Sequence, residues 1–200
     1  MTRLWLVVFT LVFVWSAINP ADFLTWLLEV SPAVLALLVL VATRKVFPLT
    51  GLVYSLLLLH CIILMVGGHY TYAEVPAFDW IRDTFGHARN NYDKVAHFAQ
   101  GFVPAMVARE VLLRFQVVNG RAWLNFLIAC FCLAVSAFYE LVEWLVAVIV
   151  GGPAEAFLGT QGYVWDTQSD MAFALAGAIC ALLLLGRVHD RQLQQHGWLP

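Results

Sequence analysis

Apolar residues run along this chain in long blocks, and the polar residues gather at the block ends or stand singly inside them. A helix needs about 20 residues to cross roughly 30 Å of hydrocarbon. Six blocks meet or approach that length, at residues 4–18, 20–43, 48–66, 92–115, 122–150 and 165–185. The second is expected to open on Asn19-Pro20-Ala21-Asp22, with Asn19 as cap, Pro20 in the first helical position and Asp22 in the first turn. It should bend at Pro32. The basic start and apolar run of the first block are those of a secretory signal, but Trp15 and Asn19 are poor residues before a cleavage point, so a retained span is expected. The pattern predicts one all-α domain over residues 1–200, a polytopic bundle of six transmembrane helices with one long loop at 67–91.

Composition agrees: 62% hydrophobic against 12% charged residues excludes an ordinary soluble domain. A net charge of −2 gives no basic surplus for nucleic acid, so none is expected as a partner. Cys61, Cys130, Cys132 and Cys180 all fall inside apolar blocks and are expected to be small buried residues, with no disulfide framework or thiolate metal site.

Charge sets the expected orientation, because short cytoplasmic loops collect Lys and Arg. With the N-terminus inside, Arg3, Arg44, Lys45, Arg109, Arg114, Arg121, Arg187 and Arg191 fall on the inner side, and six spans return the C-terminus to the cytoplasm. Only Arg82, Arg89 and Lys94 fall outside. The acids do the reverse: all but Glu110 and Asp190 belong to the outer side. Acids contribute little to topology, so their concentration there points to function.

Three blocks bring ionisable residues to one depth. Asp93, His97 and Gln100 are spaced i, i+4, i+7 and share a stripe of the fourth helix. Glu140 and Glu143 lie near the outer end of the fifth, and Asp166 and Asp170 in the first turns of the sixth. Carboxylates at membrane depth cannot all stay ionised and unpaired. A bound cation, shared protons, or basic partners such as Lys94, Arg82 and Arg89 must neutralise them. Hard oxygen ligands with one imidazole suit Mg²⁺, Mn²⁺, Ca²⁺ or Zn²⁺. The candidate metal ligands are His97, Glu140, Glu143, Asp166 and Asp170, and the candidate catalytic residues Asp93, His97 and Glu140. Lys94, Gln100, Arg82, Arg89, His69 and Tyr70 are the candidate substrate contacts, with Asn90 and Asn91 as further donors in the loop.

Plainer roles compete with these. Asp166 alone would suit the positive end of a helix dipole, and His60, with no charged neighbour in sequence, would be a buried polar contact. The loop reads equally as an amphipathic interfacial segment with aromatic anchors. Arg109 to Arg114 is most simply a positive-inside anchor.

The stretches GGHYTYAEVPAFDWIRDTFGHARNNYDKVAHFAQGFVPAMVAREVLLR, SAFYELVEW and FLGTQGYVWDTQSDMAFALAGA strongly resemble the YjdF-like family of bacterial inner-membrane proteins, over residues 67–177. The resemblance implies an inner-membrane, multi-pass protein. More remotely, the order Asp-Lys-x-x-His, intramembrane Glu, then an Asp-rich opening of the last span is similar to VanZ-like membrane proteins associated with glycopeptide-antibiotic tolerance. That analogy carries over Asp93, Lys94, His97, Glu140 and Asp170. The VanZ-like pattern has an Asn four residues after the last Asp, where Ala174 stands here.

The expectation is therefore an integral inner-membrane protein with an acidic, cation-binding site at its outer face, acting as a metal-dependent hydrolase or transferase on a phospholipid or lipid-linked envelope precursor. With no Gly-rich phosphate loop, kinase or ATPase chemistry is not expected. A small proton- or cation-coupled transporter and a non-enzymatic binding or regulatory protein are the alternatives. Oligomeric state is not legible in the sequence.

Overall fold

A computed structural model describes residues 2–151 and 160–199. Among them are seven α-helices and no strand: α1 (Arg3–Ser16), α2 (Phe23–Thr43), α3 (Gly51–His69), α4 (Pro76–Phe85), α5 (Tyr92–Arg114), α6 (Arg121–Val150) and α7 (Asp166–Gln195). Residues 157–159, part of one stretch that carries the family resemblance, lie outside the described residues. By length and composition α2, α3, α6 and α7 are able to cross a membrane. The helix α1 is apolar but only 14 residues long, about 21 Å at 1.5 Å per residue. At 23 residues α5 is long enough, but it carries Asp93, Lys94, His97, Gln100, Arg109 and Glu110 and falls short in hydropathy.

Several boundaries move for local reasons. Asn19 does not cap the second helix: it sits at φ 50° in the preceding turn. Asp22 takes the cap instead, its carboxylate accepting from the Thr25 amide at 2.7 Å. Thr50 caps α3 in the same way through the Val53 amide. The loop contains α4, a 10-residue amphipathic helix with Pro76 at its start and Gly86, at φ 69°, ending it. The last helix continues to Gln195, ten residues past the expected end of the span, because its polar residues there have partners.

Two apolar cores organise the bundle. Trp5, Phe9, Trp26, Val30 and Met65 join α1, α2 and α3. Val53, Ala105, Met106, Ile128, Cys132, Ala178 and Ala181, all fully buried, join α3, α5, α6 and α7. Cys61 and Cys132 are core residues as expected, but Cys130 is exposed on α6, two residues from Cys132 and therefore on another side of the helix.

The most extensive helix contact is α5 against α7. Its cause is small residues at the crossing: a Cβ on Gly101 would overlap the Ala174 backbone, and one on Gly177 the Phe98 carbonyl. Ala174, where the VanZ-like pattern has Asn, is fully buried in this contact.

Candidate functional site

Close approach of α5 and α7 brings the start of each within side-chain reach. Lys94, one residue and about 100° of helix beyond Asp93, turns toward α7. Its Nζ donates to Asp166 Oδ1 at 2.7 Å and Asp170 Oδ1 at 2.6 Å and lies 3.5 Å from Asp93 Oδ2. Arg89, from the loop, donates to Asp166 Oδ1 at 2.6 Å and to the Thr160 carbonyl at 3.0 Å, and reaches Asp93 Oδ2 at 3.6 Å. Asp166 thus meets two basic side chains and not the dipole of its helix alone.

Asp93 and His97 share a face, as their spacing requires. His97 Nε2 lies 3.3 Å from Asp93 Oδ1 and 3.9 Å from Asp170 Oδ1, while Nδ1 lies 2.9 Å from Gln100 Oε1 and 4.0 Å from Glu140 Oε1. Ionised carboxylates only accept hydrogen bonds. With Nδ1 held by Gln100, the Nε2 side of the imidazole faces Asp93 and Asp170, where its lone pair could meet a cation shared with them. Those three residues each offer a ligand atom, all within 4.8 Å of one another. Metal–ligand bonds of about 2.0–2.6 Å fit around a point between them. Glu140 Oε1 is buried with no hydrogen-bond partner, and Glu140 as a whole is 8% exposed.

A cavity of about 260 Å³ runs inward from Asp93 and His97, walled by α2, α3, α5 and α6. Glu143, Gln100 and Pro104 line it, and so does His60, whose Nε2 is buried with no hydrogen bond. Glu29 lines it too, accepting from the Tyr139 hydroxyl at 2.9 Å. Tyr72 enters from the loop, its ring lying over Gly67, where a Cβ would overlap it. Below Pro104 the second apolar core begins at Ala105 and Met106.

Beyond that core lies a second polar cluster. Glu110, fully buried, accepts from the Thr50 hydroxyl at 2.8 Å, the Thr50 amide, Arg114 at 2.9 Å and His189 Nε2 at 3.1 Å. His189 Nδ1 in turn accepts from Arg109, and Arg109 and Arg121 both pair with Asp190. The guanidinium of Arg114 is sandwiched between Phe47 and Trp198, 3.6 and 3.8 Å from the ring centroids. Arg109 to Arg114 is therefore a network joining α3, α5 and α7, more than a basic anchor.

Of the sequence candidates, Arg89, Asp93, Lys94, His97, Gln100, Glu140, Asp166 and Asp170 form one connected set, with Glu143 on the adjoining cavity wall. Arg82 stands apart, paired with Asp79 at 2.8 Å and Asp83 at 2.9 Å. His69 and Tyr70 line no described cavity: His69 packs on Trp15 and Tyr70, and its Nδ1 contacts the Ser16 carbonyl. Asn90, expected to be a donor to substrate, is spent inside the loop. It is fully buried and bonds Val75, Asp79, Tyr92 and Gln161. Sequence reasoning missed Glu29, although the rule that singles out a carboxylate among apolar neighbours applies to it as well as to Glu140. Tyr139 and Tyr72 carry no comparable signal, since only the fold shows which tyrosines face inward.

The family model described as "Predicted membrane protein (DUF2238)" matches residues 1–191. The chain is 51% identical over 188 residues to "Inner membrane protein YjdF" of Escherichia coli (strain K12), covering 94% of this chain and 90% of that relative. No solved structure matches.

Proposed function

Because the chain belongs to the DUF2238 family of membrane proteins, we propose that its six apolar blocks all span the bacterial inner membrane, with both termini in the cytoplasm and the Asp93–His97–Asp170 centre at the outer face. On this reading the protein is a metal-dependent hydrolase or transferase acting on a lipid or lipid-linked envelope substrate. One observation carries it: Glu140 Oε1, buried without a hydrogen bond and 4.0 Å from His97 Nδ1, and the three converging ligand atoms stand at the head of a cavity whose far end meets the apolar core at Ala105 and Met106.

The balance of buried charge favours binding of a cation. Glu29, Asp93, Glu140, Glu143, Asp166 and Asp170 are all buried, against Lys94, Arg89 and one imidazole. Buried charges are retained only when paired. Asp93, His97 and Asp170 would hold Mg²⁺, Mn²⁺, Ca²⁺ or Zn²⁺, and a bound ion would polarise a phosphoryl or acyl oxygen or acidify water. The chain's own residues supply the rest. Gln100 orients the His97 ring, Glu140, outside the ligand set and beside His97, moves a proton at the reacting oxygen, and Lys94 holds Asp170 in position.

Transport draws on a different observation, the buried Nε2 of His60 midway along α3. The fully buried Val53, Ala105, Met106, Ile128 and Cys132 oppose it, since they leave no polar lining between that cavity and Glu110. Metal analysis of purified protein tests the choice. About one equivalent of divalent metal, reduced at least tenfold in Asp93→Asn and Asp170→Asn, is expected. Equal, trace metal in wild type and both variants, together with proton or cation flux in liposomes abolished by Glu140→Gln, would replace the enzyme by the transporter.

A further inference from the structure

A second, larger hollow of about 790 Å³ lies between α4, α5 and α7, on the other side of Lys94 from the carboxylates. The two cavities have opposite character. The inner one is lined by Glu29, Asp93 and Glu143 with no Lys or Arg among the described residues, whereas the outer one is lined by Arg82, Arg89 and Lys94 with no Asp or Glu among them. Asp166 and Asp170, which bind Lys94, stand outside the groove lining. Two of the three donors of the Lys94 ammonium are used in those short bonds, and Arg82 gives Nε to Asp83 and Nη1 to Asp79, which leaves its Nη2 for the groove.

The groove is also graded along the helix axis. Of its basic residues Lys94 sits in the first turn of α5, Arg89 just before that helix and Arg82 on α4, while Val95 and Phe98 follow on α5 and Phe173 on α7, deeper along both helices. Phe98 is four residues below Lys94, about 6 Å at 1.5 Å per residue. Val95 is 39% exposed and Phe173 42%, so the apolar floor opens sideways out of the bundle, not into it. Tyr163, 42% exposed, lines the basic end with Arg89 and Lys94 over its ring, and amphipathic rings mark the level of lipid head groups.

We infer that this groove is the docking site of an anionic phospholipid, its phosphate against Arg82 and Lys94 and an acyl chain along Val95, Phe98 and Phe173. Phosphate is the anion for which arginine donors are best suited, and a floor open to hydrocarbon selects a lipid over a soluble phosphate. This rests on the outer-face reading above and names the substrate class: Lys94, shared between groove and carboxylate centre, would bring the head group beside His97 and Asp170.

Native mass spectrometry of the detergent-solubilised protein, titrated with phosphatidylglycerol, phosphatidylcholine or soluble glycerol phosphate, tests it. One phosphatidylglycerol per chain is expected, retained about tenfold better than phosphatidylcholine, as one to two basic contacts provide, with no retention of glycerol phosphate. Arg82→Gln should abolish the preference between lipids, and Val95→Trp, which fills the groove from an exposed position, should weaken both. Equal retention of the two lipids, binding of glycerol phosphate at the same level, or indifference to both substitutions would overturn the assignment. Asp93→Asn separates the two proposals: it should lose metal and keep the lipid.

Discussion

Lys94 decides the electrostatics of the Asp93–His97–Asp170 centre. Its ammonium bridges Asp166 and Asp170 at 2.7 and 2.6 Å and is buried with them. Removing one partner of a buried pair leaves the other charge uncompensated, at a cost of about 3–5 kcal/mol. Lys94→Met should therefore lower unfolding stability by that order in a denaturant titration, and the combined Lys94→Met and Asp170→Asn change should recover part of the loss. If the single change leaves stability untouched, the two aspartates are neutralised by something else. Glu110 is the corresponding residue of the opposite end. Its carboxylate takes hydrogen bonds from Thr50, Arg114 and His189, so Glu110→Ala should cost at least as much while leaving metal content per folded molecule unchanged.

At the level of the helix, the decisive contact is the crossing of α5 and α7. Gly101 and Gly177 leave no room for a Cβ against Ala174 and Phe98, and this approach sets how far Lys94 must reach. Substitution with Ala forces the helices apart, and overpacking of this kind costs about 1–3 kcal/mol. Gly101→Ala and Gly177→Ala should each destabilise by that order and, on the proposed metal-dependent reading, also lower metal content, because Asp170 would withdraw from Asp93 and His97. A destabilised variant with full metal content would show that the centre does not depend on this crossing. The α2 cap offers a milder control: Asp22→Ala removes the bond to the Thr25 amide and should cost about 1 kcal/mol without touching the centre.

For the whole molecule, the proposed topology makes a direct prediction. In a background with Cys61, Cys130, Cys132 and Cys180 replaced, a cysteine at Phe85, exposed at the end of α4, should react with a membrane-impermeant maleimide on intact spheroplasts. A cysteine at Val117, exposed between α5 and α6, should react only after permeabilisation. The reverse pattern would put the acidic centre in the cytoplasm and remove the envelope substrate with it.

The helical, membrane-embedded character of the chain and the gathering of Asp93, His97, Glu140 and Asp170 toward one level are legible in the order of residues alone. These follow from block length and helical period, which depend only on the order of residues. The tertiary structure decided how the charges are shared. Whether Lys94 turns toward α7, whether Asn90 faces substrate or its own loop, and whether Glu29 enters the cavity depend on how helices cross and which face each presents. The Glu110 network was hidden for the same reason. Glu110 and His189 are 79 residues apart, and only the close approach of α5 and α7, set by the missing side chains of two glycines, makes them neighbours.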